Sequence, residues 1–387
     1  MPETGPLAAT HLPKGVRSRM IDTPAPLRMH LLEAGDPGRP CLLLLHGFPE
    51  LAYSWRRIMP ALAAAGFHVI APDQRGYGRT TGWDGRFAAD LAPWRMLNLV
   101  RDALALLVAL GRSRVAAVVG HDFGAPVAGW CALARPDIFP AVAMMSAPFA
   151  GPPSWQSAPA PDPVHADLAA LPRPRKHYQW YYSTAAAEAD MLACPQGLHA
   201  FLRAYYHMKS ADWMKGGDWV KGGDWAASTP APLAGWTAAE LARMPEYYIM
   251  DQASGMAATV APHMPSPAQI AGCAWLPDAE LAVYSTEFAR TGLQGGLNWY
   301  RCNTNGDNAG ELRLFAGRRI DVPALFIAGR QDWGAQQVPG SLERMRHIAC
   351  ADMRGCHFVD GAGHWVQQEQ PAATAALLLD FLRGLAA

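Results

Sequence analysis

Short apolar runs bounded by turn residues recur along the chain at the spacing of alternating strands and helices. Residues 15–33 alternate apolar and polar about Thr23-Pro24, which predicts a hairpin of two edge strands. Cys41-Leu42-Leu43-Leu44-Leu45 predicts a fully buried strand, Trp55 to Ala65 a helix, and Phe67 to Ala71 the next strand. Trp94 to Leu110 has apolar residues at 97, 100, 104, 107 and 108, the mark of a long amphipathic helix. Val115 to Val119 then predicts a buried parallel strand, Ala125 to Ala134 a helix of small residues, and Val142 to Ser146 another short strand. The same alternation resumes late in the chain. Ala324 to Gly329 is a strand, a helix falls near 341–347, His357-Phe358-Val359 is a strand, and Pro371 to Leu385 a terminal helix. Such alternation means an α/β fold with a mostly parallel, doubly wound sheet, in which reactive groups gather at the carboxyl ends of the strands.

Between these two stretches the pattern changes. From residue 148 to about 301 there is no buried β-run, only helical patches rich in Trp, Tyr, Pro and Met, with eight of the fourteen tryptophans. This predicts a helical cap at 148–301 inserted between a first core part, 1–147, and a second, 302–387. A tandem hexapeptide, Asp212-Trp213-Met214-Lys215-Gly216-Gly217 and Asp218-Trp219-Val220-Lys221-Gly222-Gly223, followed by Asp224-Trp225, reads as an exposed loop born of a small duplication. Its alternative is a lid that dips tryptophans over the site entrance.

The loops at the strand ends carry the chemistry. Gly120-His121-Asp122-Phe123-Gly124 reverses the chain between a strand and a helix, with glycines two before and two after the centre. That is the nucleophile elbow of the α/β-hydrolase fold, with Asp122 where a serine is usual. A carboxylate is ionised at neutral pH and can attack an electrophilic carbon without a base, forming an ester. Asp332 and His364 follow later strands, so nucleophile, acid and histidine stand in the α/β-hydrolase chain order. The backbone amides of Phe48 and Phe123 are the expected oxyanion-hole donors, and His364, oriented by Asp332, the base that activates water. Glu50, taken as an exposed loop carboxylate, either helps to hold that water or is incidental. His121 is expected to be structural.

Composition narrows the class. The 387 residues include 33 Lys+Arg and 33 Asp+Glu, so nothing favours nucleic acid or an anionic membrane surface. Seven scattered cysteines without a CxxC pair argue for a reducing compartment and against a disulfide framework or a zinc site. The N-terminus lacks an apolar core of signal-peptide length and no stretch approaches a membrane span, so a cytoplasmic protein is expected. Neither cofactor nor metal is expected.

His46-Gly47-Phe48-Pro49-Glu50, Asp73-Gln74-Arg75-Gly76-Tyr77-Gly78 and Gly120-His121-Asp122-Phe123-Gly124-Ala125 together resemble the soluble epoxide hydrolases of the α/β-hydrolase superfamily, from about residue 15 onward. The resemblance implies two cap tyrosines that hold the epoxide oxygen. They fall at Tyr178 in His177-Tyr178-Gln179-Trp180-Tyr181-Tyr182 and at Tyr300 in Gly296-Leu297-Asn298-Trp299-Tyr300-Arg301. The aromatic, weakly charged cap predicts an apolar body for the epoxide, with water as the other reactant; a monomer or homodimer is expected, and a substrate surface drawn from Tyr178, Tyr300, Phe48, Phe123, Trp299 and Trp365. Phe123 stands where many relatives have tryptophan, which leaves its backbone N–H unaffected. A dehalogenase shares the aspartate ester but needs side-chain N–H donors for the halide, and Phe48 and Phe123 offer none. A non-catalytic ligand-binding protein on this fold would be expected to lack a triad member, and all three are present.

Overall fold

The computed structural model describes residues 5–155, 162–215 and 230–385. Its centre is an eight-stranded sheet in the order β1-β2-β4-β3-β5-β6-β9-β10. The strands are β1 (Val16–Asp22), β2 (Arg28–Ala34), β3 (Cys41–Leu45), β4 (His68–Pro72), β5 (Ala117–His121), β6 (Val142–Met145), β9 (Ile320–Gly329) and β10 (Cys350–Val359). From β4 to β10 all pairs are parallel, while β2 runs antiparallel to both β1 and β4. Strands β3 to β6 are buried on both faces, as their continuous apolar sequence requires.

Several boundaries moved. Of the predicted hairpin only β1 lies at the sheet edge, because β2 pairs Leu31 with Pro72 on its other side. The predicted helix from Trp55 begins as a 3-10 turn, Ala52–Trp55, and becomes α-helical only at α1 (Met59–Ala64), with Pro60 in its first turn where a missing N–H is harmless. In α2 (Met96–Ala109) the buried face runs through Met96, Leu99, Val100, Ala103, Leu106 and Leu107, while Val108 is exposed. The buried stripe therefore lies a little round the helix from the expected one. Strand β5 begins two residues later than predicted and continues through His121, since Gly120 and His121 pair with Met144 and Met145 of β6. Strand β10 is far longer than its apolar tip, because its first part is a half-exposed edge with no burial pattern to announce it.

Between β6 and β9 lie helices, among them Tyr178–Tyr182, Leu198–Met208, Asp278–Thr291 and Gln294–Thr304, and one short ribbon that sequence missed. The ribbon pairs β7 (Arg175–His177) with β8 (Ile249–Asp251), each three residues long and too short for periodicity to register. Trp213 is buried and donates its indole N–H to His263 Nδ1 at 3.3 Å. The rest of the tandem hexapeptide, from residue 216 with Trp219 and Trp225, lies outside the described residues.

Candidate active site

Asp122 follows β5 directly and adopts φ +51°, a conformation rare for a residue with a side chain. The turn into α3 (Gly124–Ala134) is closed by packing. A Cβ on Gly120 would lie 2.0 Å from Gly124 O, and one on Gly124 would lie 2.2 Å from Leu45 O. Only glycine fits either place. The turn leaves the Asp122 carboxylate between two neighbours. Phe48 N–H, in the loop after β3, donates to Oδ1 at 2.9 Å, and His364 Nε2 lies 3.2 Å from Oδ2. That second contact falls short of hydrogen-bond geometry. Burial opposes the charge on Asp122, yet the contact with His364 and the charges of His364, Lys209 and His121 hold its carboxyl well below the usual range.

Phe123 is the N-cap residue of α3, where amides have no intrahelical acceptor. Of the two amides expected at the site, that of Phe48 is on the Asp122 carboxyl, and that of Phe123 adjoins it in sequence. Asp332 and His364 follow β9 and β10. Asp332 Oδ1 accepts from Gly334 N–H at 2.7 Å and lies 3.1 Å from His364 Nδ1. Burial again raises the acid, and His364 and Gly334 outweigh it to keep the carboxyl low. The structure brings Asp122, Asp332 and His364 into one contiguous line.

Glu50 is not the exposed loop carboxylate expected from its setting. It is fully buried. Its Oε2 accepts Gly47 N–H at 3.0 Å and meets His121 Nδ1 at 2.6 Å, and Gln367 Nε2 donates to Oε1 at 3.1 Å. Burial alone would discharge both partners, but each holds the other charged: Glu50 is lowered and His121 raised. The other ring nitrogen of His121 donates to the His364 carbonyl at 2.7 Å. His121 is therefore turned away from the Asp122 side chain and braces the histidine loop from beneath.

Two further supports were invisible in sequence. Glu369 accepts the N–H groups of Ala211, Gly363 and Trp365 at 2.8 to 3.1 Å, tying the histidine loop to the segment after Leu198–Met208. Burial raises its carboxyl to about 7 against those three donors. Lys209 gives its carbonyl to His364 N–H. A Glu five residues after a loop histidine was the only available hint of the first.

Tyr178 and Tyr300 face each other across the site with ring centroids 6.0 Å apart. The edges of Phe48 and Phe123 meet Tyr300 at 5.4 and 5.1 Å. Burial raises both phenols above their ordinary value, aided by the nearby Asp122 charge. A cavity of about 240 Å³ opens here, lined by Asp122, Phe123, Tyr178 and Tyr300 and extending outward past Trp130 and Phe149. Trp299 and Trp365, expected on the substrate surface, stand one layer back. Both are fully buried, with their N–H groups on the carbonyls of Arg75 and Tyr206. A second cavity of about 300 Å³, beside Arg203, Cys273 and Trp275, touches none of the triad. Among the described residues no cluster of three or more His, Cys, Asp or Glu is arranged to hold a metal, and no helix is long and apolar enough to cross a membrane.

A carboxylate on the elbow after β5, with an acid and a histidine after later strands, is the arrangement of an α/β-hydrolase. Residues 40–217 match the family model of the alpha/beta hydrolase fold. The chain is 35% identical over 377 residues to epoxide hydrolase A of Mycobacterium tuberculosis, covering 95% of this chain and 97% of that one. It is 30% identical to an epoxide hydrolase of Caballeronia sordidicola, covering 92% and 91%. Among solved structures, an epoxide hydrolase from an endophytic Streptomyces superposes with a TM-score of 0.76 at 33% identity, covering 97% of each chain. Epoxide hydrolase A of Mycobacterium thermoresistibile superposes with a TM-score of 0.72 at 32% identity, covering 95% and 98%. The chain belongs to the epoxide hydrolase family.

Proposed function

We propose that the protein opens an apolar epoxide to a vicinal diol through an ester on Asp122. The carrying observation is the Asp122 carboxylate itself: partly buried, kept ionised, held at φ +51°, with one oxygen on the Phe48 amide. An Asp122 oxygen attacks a ring carbon, the carbon–oxygen bond of the ring breaks, and Tyr178 and Tyr300 serve the departing oxygen. His364, steadied by Asp332, then takes a proton from water as that water attacks the ester carbonyl. The Phe48 and Phe123 amides stabilise the resulting oxyanion.

The wall of the cavity supports an apolar substrate body, with Met96, Phe123, Trp130, Phe149 and Leu312 around a few polar groups. Residues 148–301 act as the cap, since Tyr178 and Tyr300 come from it and the triad from the sheet. A dehalogenase fits less well, because the neighbouring indoles Trp299 and Trp365 have committed their N–H groups to carbonyls. Seven free cysteines fit a reducing, cytoplasmic setting.

Oxygen-18 water tests the ester. In a single turnover with excess enzyme the diol should carry almost no label, and the peptide containing Asp122 should gain it. A diol labelled in the first turnover would mean direct hydration and end the covalent reading.

A further inference from the structure

The two tyrosines are not equivalent. Tyr178 Oη donates to Gln337 Oε1 at 3.0 Å and accepts from Gln179 Nε2 at 3.1 Å. The Gln179 amide is turned that way by Asn303, whose Nδ2 donates to its Oε1 at 3.3 Å. All three side chains lie on the cavity wall. Tyr300 is packed edge-on by Phe48 and Phe123, and among the described residues no group donates to its hydroxyl.

Resting on the epoxide-opening reading, we propose that Gln179 and Gln337 make Tyr178 the proton donor of ring opening: Gln337 holds its proton at rest, and Gln179 holds its oxygen once the proton has gone. Tyr300 then positions the ring oxygen as a hydrogen-bond donor and keeps its own proton.

The chemistry requires an asymmetry of this kind. As Asp122 attacks, the ring oxygen gains the electron pair of the broken carbon–oxygen bond and takes one proton. The negative charge that began on Asp122 passes to whichever phenol gave it. A buried phenolate without a donor is strongly disfavoured. Burial raises both phenols, but only Tyr178 has an N–H that works against that rise. The hydrolytic water brings two protons: one, taken up by His364, passes to the diol oxygen as its bond to the Asp122 acyl carbon breaks, and the other leaves the Asp122 carboxyl and returns through solvent to the Tyr178 phenolate, which restores the site. Gln337 acts in the opposite sense. Its carbonyl competes with the epoxide oxygen for the same proton, so the substrate must displace it.

The two amides therefore have effects of opposite sign on one tyrosine. Single-turnover alkylation by styrene oxide, followed by intact-protein mass, reads them. Gln179→Leu removes the donor to the phenolate and should slow alkylation about 10- to 100-fold, the range for a hydrogen bond to a charged group. Gln179→Glu, which cannot donate and adds a like charge, should slow it at least as much. Gln337→Met removes the competing acceptor and should speed alkylation about 3- to 10-fold at low substrate. A structural disturbance would slow both variants together, and that result overturns the assignment. So does sensitivity to Gln179 that survives Tyr178→Phe and is lost in Tyr300→Phe. Diol formation by the parent protein tests the underlying activity separately, since the inference concerns only displacements from the parent rate.

Discussion

The main-chain carbonyl of Lys209 accepts the N–H of His364 at 2.8 Å, so the end of the helix Leu198–Met208 holds the loop that follows the last strand of the sheet. The Lys209 ammonium sits over four rings, 5.3 Å from Tyr205, 5.8 Å from Tyr247, 5.4 Å from Tyr248 and 5.3 Å from Trp365. Aromatic faces stabilise a desolvated cation there, and its charge helps to keep Asp122 ionised. Because the tie to His364 is through backbone, charge and tether can be separated.

Lys209→Met keeps the tether and deletes the charge. Asp122 should become a weaker acid, so the acidic limb of the alkylation rate should move to higher pH. The measurement is single-turnover alkylation across pH. An unmoved limb would remove Lys209 from the electrostatics of the site.

His364→Gln should separate the two halves of the reaction. One equivalent of epoxide should attach to the protein, and turnover should then stop. Intact mass would show a gain of one substrate. Continued diol formation without an adduct would deny His364 its role as base.

Gly124→Ala should strain the elbow. Its new Cβ would meet Leu45 O at 2.2 Å, which is main chain and cannot yield cheaply. The expected loss is on the order of 1–3 kcal/mol, together with slower alkylation as Asp122 is displaced. Thermal unfolding and the alkylation rate check both. A variant matching the parent in each would show that the turn has more room than its geometry implies.

Asp73 gives a pH signature of stability rather than activity. It is buried, meets His30 Nδ1 at 2.7 Å and accepts the N–H groups of Ala52 and Arg79. Burial opposes its charge, but His30, His46 and the Arg79 amide outweigh it and lower its pKa from 3.8 to about 2. A lowered acid stabilises the fold above its unfolded value, here by about 2 kcal/mol, and loses that contribution as pH falls through the folded value. Asp73→Asn should therefore be less stable than the parent at neutral pH, with the gap closing between pH 3.8 and about 2. Denaturant midpoints at several pH values would show it, and a gap that widened on acidification would contradict it.

The sequence by itself determined the α/β alternation, the place of the helical insertion, the elbow at Asp122 and the order Asp122, Asp332, His364. These are local signals. A buried parallel strand is a run of apolar residues, and a sharp turn is a pair of glycines, whatever lies elsewhere. What only the tertiary structure decided are the properties that depend on a partner distant in the chain. Glu50 looked exposed because its neighbours in sequence are loop residues, but His121 and Gln367 bury it from 71 and 317 residues away. Trp299 and Trp365 looked like substrate contacts because they adjoin Tyr300 and His364, yet packing turns both indoles onto carbonyls behind the site. Gln337 carries no motif, and it reaches Tyr178 across 159 residues of chain. Periodicity reports how an element meets the core, whereas a hydrogen-bond partner is set by which elements the fold brings side by side.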